Sequence, residues 1–148
     1  MKTSIIISIL IAILDQIIKF IVDKKILFVE VIPNIFNIHK VYNYGVAFSF
    51  LENKRYLILL FSIILIYFLF NLRKDLPKKK KYDILFGVIL GGILGNLIDR
   101  IFRGYVIDYL ETFILGYSFP IFNLADIGIT LGIIIMIIMM FWGERNDC

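Results

Sequence analysis

Four long apolar runs constrain the fold of this chain more than any other feature of its sequence. A helix needs about 20 apolar residues to cross the hydrocarbon core of a bilayer. Soluble chains contain about 45–50% apolar residues, and a water-soluble domain of 148 residues could not bury the 60% found here. The sequence therefore predicts an all-α polytopic membrane protein, a single membrane domain over residues 1–148. Its four expected transmembrane spans are residues 4–22, 56–72, 84–102 and 122–142.

The first apolar run follows Lys2 and resembles the start of a signal peptide. It is longer than the apolar region of a typical signal peptide, contains Asp15 and Lys19, and is not followed by a small-residue cleavage site. We therefore expect an uncleaved first span. The single cysteine, Cys148, is the last residue, which excludes a disulfide scaffold.

Residues 24–55 contain no run long enough to cross a membrane. Two stretches within them, residues 26–31 and 36–41, are rich in branched and aromatic side chains, and Pro33 and Asn34 separate these stretches. This pattern predicts two short strands joined by a turn. We expect a small extracytoplasmic β-sheet element that lies on the membrane.

The basic residues indicate the orientation of the spans. Six of the 16 Lys and Arg residues fall within residues 73–81, in the short connection 73–83 between the second and third runs. Short loops rich in Lys and Arg stay on the cytoplasmic side of a membrane. Both termini are then cytoplasmic, and segments 24–55 and 103–121 are extracytoplasmic. The net charge of +4 thus reflects topology, and no nucleic-acid partner is expected.

Ionisable residues at membrane depth are costly and mark candidate functional sites. Asp15 and Lys19 are four residues apart and share one face of the first span. We favour an ion pair that orients this helix over a catalytic role. The other polar residues at this depth are Asn96, Asp99, Arg100, Asn123 and Asp126.

The third run combines small residues with a polar end. Asp99 is placed to pair with Arg103 four residues later, which favours structural support. Alternatively, Arg100 and Arg103 bind lipid phosphates or backbone carbonyls. Glycine at every fourth position lets another helix approach closely; one such stripe is Gly87, Gly91 and Gly95, and a second one in the fourth run is Gly128 and Gly132.

Two aspartates flank the connection between the third and fourth runs. Asp108 follows the outer end of the third run, and Asp126 lies four residues past Phe122. At a rise of 1.5 Å per residue, Asp126 lies only about 6 Å inside the fourth span. Asn123 and Thr130 share its helix face. We therefore expect the carboxylates of Asp108 and Asp126 to meet near the outer interface.

Two facing carboxylates are suited to acid–base catalysis. Like charges a few ångströms apart cannot both ionise cheaply, so one carboxyl group keeps its proton. The ionised group then acts as a base on a water molecule and the protonated group polarises a carbonyl, as in aspartic proteases. Transporters and proton pathways also place carboxylates inside membranes. From the residues alone, a peptidase and a small transporter with a carboxylate proton relay are about equally favoured. A purely structural subunit leaves both aspartates unexplained.

Other chemistries have less support in the sequence. His39 is the only histidine and lies in an expected strand, where a surface position is favoured. Cys148 has no base near it in sequence, and the spacing does not single out a pair between Ser49 and a lysine. No zinc, nucleotide-binding or redox motif occurs. We expect neither a metal nor a cofactor.

Four segments together resemble the lipoprotein signal peptidase family, the type II signal peptidases of aspartyl peptidase family A8. Their order and spacing match, as do the chain length and the four-span layout, so the resemblance covers nearly the whole chain. Tyr44 and Val46 depart from it, since smaller residues are common at these positions in the family. The segments are the pair Asp15 and Lys19, VYNYGVAFSF at 41–50, GGILGNLIDRIFRGYVIDYL at 91–110 and FNLADIGITLG at 122–132.

The resemblance implies a membrane aspartyl endopeptidase that removes the signal peptide of bacterial prolipoproteins, cutting just before a cysteine that carries a diacylglyceryl group. It implies that Asp108 and Asp126 are catalytic, the same pair that their depth selects. Asn43, Gly45, Asn96, Arg100 and Asn123 are then expected to bind substrate or support the aspartates, whereas Asp15, Lys19 and Asp99 are expected to be structural.

The resemblance also implies the partners and the location of the protein. The expected partners are a prolipoprotein signal peptide with its diacylglyceryl cysteine and the lipids of the bacterial cytoplasmic membrane. An apolar signal helix and two acyl chains can both reach the site laterally through lipid. We expect a monomer whose active site lies at the outer face of that membrane.

Overall fold

The computed structural model describes residues 1–45 and 51–143, and for residues 142 and 143 it describes the backbone only. Four helices in this part of the chain are long and apolar enough to cross a membrane. The first three contain the predicted spans, whereas the fourth begins two residues later than predicted, because Phe122 pairs with a strand. The helices are α1 (Lys2–Lys25), α2 (Arg55–Asp75), α3 (Lys80–Phe102) and α4 (Leu124–Gly143).

A four-stranded antiparallel sheet accompanies the helices, in the order β1-β2-β3-β4. The first two strands and their turn agree with the prediction for residues 26–41. The description "all-α" was imprecise, because the longest strand lies in segment 103–121, which the sequence analysis treated as a connection. The strands are β1 (Phe28–Ile32), β2 (Phe36–Asn43), β3 (Val106–Ile114) and β4 (Tyr117–Ser118).

Helix α3 is the centre of the helical assembly and contacts the other three helices. Its glycines allow this, as predicted for the small-residue stripes. A Cβ atom at Gly91 would lie 2.8 Å from the carbonyl oxygen of Ser8 in α1, and one at Gly92 would lie 2.6 Å from that of Ala125 in α4. On the second stripe, a Cβ atom at Gly132 would lie 2.5 Å from Ile89 of α3. Close backbone approach therefore sets the spacing of α1, α3 and α4.

Two groups of buried apolar side chains hold the elements together. The larger joins α2, α3 and α4 around Phe86 and Ile89. The smaller joins α1 to the sheet, where Val22 packs against Ile107 and Tyr109 of β3. The side chains on both sides of position 108 are therefore fixed in this second core. The outward faces of α1, α2 and α4 carry exposed Ile, Leu and Phe side chains, as a lipid-facing surface requires.

Two backbone features fix the path from α3 to α4. Helix α3 ends where the N–H groups of Arg103 and Gly104 both donate to the carbonyl oxygen of Asp99, and Gly104 adopts φ +86°, a conformation that favours glycine. The chain then enters β3. In the middle of this strand, Leu110 forms an isolated antiparallel bridge with Phe122. Position 108 in the strand and position 126 in the helix are thereby brought to one side of the molecule.

Candidate active site

Asp108 lies in β3 opposite Val41 of β2, and only 3% of its surface is exposed. Its Oδ1 accepts a hydrogen bond from the Asn123 amide at 2.6 Å, and its Oδ2 accepts one from the Asn43 amide at 2.8 Å. Burial, followed by the nearby Asp126 carboxylate, raises the pKa of Asp108 to about 6. This carboxyl group can therefore exchange a proton close to neutral pH.

Asp126 is the third residue of α4, and its position follows from the way this helix begins. The Asn123 side-chain oxygen accepts the Asp126 backbone N–H at 3.0 Å, and the Asp126 Oδ2 accepts the Asn123 backbone N–H at 3.1 Å. This reciprocal pair is a capping box, which satisfies two otherwise unpaired donors. The other oxygen, Oδ1, accepts the Asn96 amide at 2.8 Å.

Asn123 connects the two aspartates. Its side-chain oxygen holds the backbone of Asp126, while its amide nitrogen donates to Asp108 and, at 3.2 Å, to Asn96 Oδ1. The side chain is fully buried. The spacing of Asn123 and Asp126 predicted that they share one helix face, but the capping box was not predicted. The signal was present, since Asn, two residues and Asp directly precede an apolar run.

Both aspartates line a cavity of about 710 Å³. Asn43, Asn96 and Arg100 also line it, so these predicted site residues lie together. The remaining wall is mainly apolar and comes from α2, α3, α4, β3 and the segment before α4. It includes Leu65, Ile93, Val106, Phe119, Phe122 and Ile127. A few polar groups that converge in an apolar cavity are typical of a binding site for an apolar ligand.

Arg100 supports the segment that follows β2. Its guanidinium donates to the carbonyl oxygen of Gly45 at 3.0 Å, and the Gly45 N–H donates to the side-chain oxygen of Asn43 at 2.9 Å. One of the two alternatives for the arginines, a contact with a backbone carbonyl, is therefore observed for Arg100. The same Asn43 side chain binds Asp108, so this arginine indirectly stabilises the surroundings of that aspartate.

The residues expected to be structural form a buried ion cluster behind the cavity. Lys19 Nζ lies 2.8 Å from a carboxylate oxygen of Asp15 and 2.8 Å from one of Asp99. Arg103 also contacts Asp99, as its spacing predicts. Lys19, Asp15 and Asp99 are fully buried. One contact was not predicted: Lys19 also donates to Asn96 at 2.9 Å, which joins the cluster to the site.

The remaining candidates lie elsewhere. His39 is in β2, its side chain is 40% exposed, and its Nδ1 lies 3.3 Å from Glu111. Ser49 and Cys148 fall outside the described residues, as does Val46. Within the described part of the chain, no group of three or more His, Cys, Asp or Glu residues could hold a metal ion.

Comparison with known proteins decides between the two function classes left open by the residues. The family model for signal peptidase II matches residues 7–142. The chain belongs to the signal peptidase II family. The lipoprotein signal peptidases of Staphylococcus aureus strains JH9 and Newman are each 37% identical to this chain, over 97% of it and 91% of their own length. These findings favour the peptidase over the transporter.

Solved structures agree with membership of the signal peptidase II family. One bacterial membrane enzyme superposes with a TM-score of 0.88 at 34% identity, covering 100% of this chain and 93% of its own. A second superposes with a TM-score of 0.83 at 35% identity, covering 95% and 93%. The mixed architecture, four helices with a small sheet, is thus shared with solved bacterial membrane enzymes.

Proposed function

We propose that Asp108 and Asp126 are the catalytic pair with which this member of the signal peptidase II family cleaves the signal peptide from a bacterial prolipoprotein. The bond cut is the one before the cysteine that carries the diacylglyceryl group. The observation that carries this proposal is the way the two carboxylates are held. In each, both oxygens accept neutral N–H groups.

Because the N–H groups that bind Asp108 and Asp126 are neutral, either carboxyl group can gain or release a proton. A carboxylate that contacts Lys or Arg stays ionised, because a proton would remove the attraction. Asp108 and Asp126 face one another's charge instead, so one of them holds a proton at the working pH. The ionised carboxylate takes a proton from a water molecule that attacks the scissile carbonyl carbon. The other donates its proton to the carbonyl oxygen, which forms a tetrahedral intermediate.

The walls of the cavity suit the substrate. A signal peptide is an apolar helix, and the modified cysteine adds two acyl chains. The cavity is lined mainly by apolar side chains of α2, α3 and α4, and these helices carry exposed apolar surface. Both parts of the substrate can therefore enter laterally from lipid, while the few polar groups orient the scissile peptide bond.

The proposed orientation of the protein in the membrane is based on what lies at the two ends of α3. The basic residues of segment 73–81 lie at the end of α2, in the short connection and at the start of α3, and the sheet with Asp108 follows α3. Short basic loops face the cytoplasm. Both termini are then cytoplasmic, segments 24–55 and 103–121 are extracytoplasmic, and the active site lies at the outer face, where water is available. A cysteine introduced at position 79 should resist impermeant thiol reagents added from outside, and its labelling would contradict this topology.

The catalytic assignment is tested with purified protein reconstituted with a diacylglyceryl-modified precursor. Asp108→Asn and Asp126→Asn should each abolish release of the signal peptide, because an amide can neither accept the water proton nor supply one. The matched control is Asp75→Asn, at an exposed position at the end of α2, which should cleave at the wild-type rate. Thermal unfolding should show that all three variants are folded at the assay temperature. Full activity of either site variant would refute the assignment.

A further inference from the structure

The cluster behind the cavity contains one contact that ion pairing does not explain. Lys19 is fully buried, and its ammonium has three N–H donors. Two of them bind the carboxylates of Asp15 and Asp99, each at 2.8 Å. The third binds the neutral side-chain oxygen of Asn96 at 2.9 Å. All three donors are therefore used, and one of them is directed at an uncharged amide of the site.

The contact fixes which way the Asn96 amide faces. An ammonium group donates and cannot accept, so the side-chain oxygen of Asn96 must point towards Lys19. The amide nitrogen then points the other way, where it donates to Asp126 Oδ1 at 2.8 Å. If the amide were rotated by half a turn, its oxygen would face the Asp126 oxygen and two acceptors would oppose each other.

We propose that Lys19 is a positioning residue for the reaction: it holds the Asn96 amide in the orientation that donates to Asp126. The proposal rests on the catalytic role of Asp126 given above. Lys19 does not line the cavity, and among the described residues its one hydrogen bond to a residue of the site is the one to Asn96. In metal sites, the outer partners that orient the metal ligands typically contribute about 10- to 100-fold to activity, and we expect a contribution of the same order here.

A second consequence concerns the pH dependence of cleavage. The charged groups around the pair are Arg100 and Asp99 of α3, Lys19 and Asp15 of α1, and the two aspartates themselves. A donated N–H favours an ionised carboxylate. Without Lys19 only the longer hydrogen bond from the Asn123 amide, at 3.2 Å, still holds the Asn96 oxygen, so the Asn96 amide rotates more easily and Asp126 loses this donor for part of the time. On the acid side of the pH–rate profile, the cleavage rate should then reach half of its maximum at a higher pH than in the wild type.

The direct variant, Lys19→Met, would leave Asp15 buried without a cation, which is strongly destabilising. The test therefore uses Lys19→Met with Asp15→Asn, because Asp99 keeps Arg103 as its partner and the cluster stays neutral. Two comparison variants complete the set. Asp15→Asn alone keeps the Lys19 donor, and Lys19→Gln with Asp15→Asn replaces the ammonium by a neutral N–H donor.

The variants are compared for kcat, KM and pH profile with the diacylglyceryl-modified precursor, after thermal unfolding has verified their fold. The methionine double variant should lose about 10- to 100-fold in kcat, with KM within about threefold of wild type and the acid side of the pH–rate profile shifted to higher pH. Asp15→Asn should keep most of kcat, and the glutamine variant should recover most of the loss. Equal kcat in the two double variants overturns the proposal. An equal loss of kcat in Asp15→Asn also overturns the proposal. If only the methionine double variant fails to fold, Lys19 contributes to stability and the proposal is likewise overturned.

This test is separate from that of the catalytic pair, because Asp108 and Asp126 are intact in all three variants. An active Asp126→Asn enzyme would overturn the proposed function itself. An inactive Asp126→Asn enzyme together with an unchanged methionine double variant would overturn the role of Lys19 alone.

Discussion

Asp83, near the start of α3, and the two aspartates beyond its end, Asp108 and Asp126, are held in opposite ways. Near its start, Asp83 contacts Arg73 at 2.7 Å and the amino group of Met1 at 3.2 Å. Beyond its end, Asp108 and Asp126 contact only neutral amide and backbone N–H groups among the described residues. A carboxylate bound by cations keeps its charge and ties helices together. A carboxylate bound by amides can gain and lose a proton. We infer that the groups bound to a carboxylate, more than its depth in the membrane, determine whether it supports the fold or takes part in the reaction.

The largest effect is expected from changing an amide of the site into a carboxylate. Asn123→Asp keeps a good helix cap for α4 but replaces the donor to Asp108 by an acceptor with a like charge. We expect kcat to fall by about 10³-fold, similar to the loss of one oriented donor in other enzymes. The unfolding temperature of the variant reports whether α4 is intact, and near-normal cleavage would show that the Asn123 amide is dispensable.

The pH dependence of stability gives the next largest effect. The pKa of Asp108 is about 6 in the folded protein and about 3.9 in an unfolded chain, so the folded state binds the proton more tightly. This contribution is fully present below pH 4 and is lost as pH rises through 6, by at most roughly 3 kcal/mol. Asp108→Asn should remove this fall. Unfolding in detergent between pH 4 and 7 measures it, and parallel curves for the two proteins would contradict it.

The smallest effect is expected at the ion-paired end. Asp83→Asn should lower the free energy of unfolding by about 1–2 kcal/mol, since Arg73 loses its charged partner but keeps hydrogen bonds to the carbonyl oxygens of Leu76 and Pro77. The kcat of the folded variant should equal that of wild type. A clear loss of kcat at unchanged stability would show that Asp83 contributes to the reaction, which would contradict this comparison.

Local and periodic features of the chain were predictable from sequence. The apolar runs gave the four helices, Pro33 and Asn34 gave the first hairpin, and the spacing of Gly87 and Gly91 gave the close approach of α1 to α3. Helical rise, together with the place of Asp108 just beyond the third run, predicted that Asp108 and Asp126 lie close together, and both line one cavity. Each of these inferences depends on residues near one another in the chain.

Features that depend on distant residues were not predictable. Strand β3 forms because it pairs with β2, about 70 residues earlier, and its residues lie in a segment that was predicted to be a short extracytoplasmic connection. The contact of Lys19 with Asn96 crosses 77 positions. The periodicity of a sequence does not indicate whether the oxygen or the nitrogen of a side-chain amide faces a given partner. The capping box of α4, by contrast, is local and could have been recognised.

The bridge between Leu110 and Phe122 has a mechanical consequence. Helices respond to a change in bilayer thickness by tilting or shifting along the membrane normal. Three backbone hydrogen bonds of 2.8–3.1 Å fasten Tyr109 and Leu110, in the middle of β3, to Phe122, two residues before α4. Each aspartate of the pair lies within four residues of this fastening, so a tilt of α4 displaces both together. We therefore expect the spacing of Asp108 and Asp126 to change little with the thickness of the surrounding membrane.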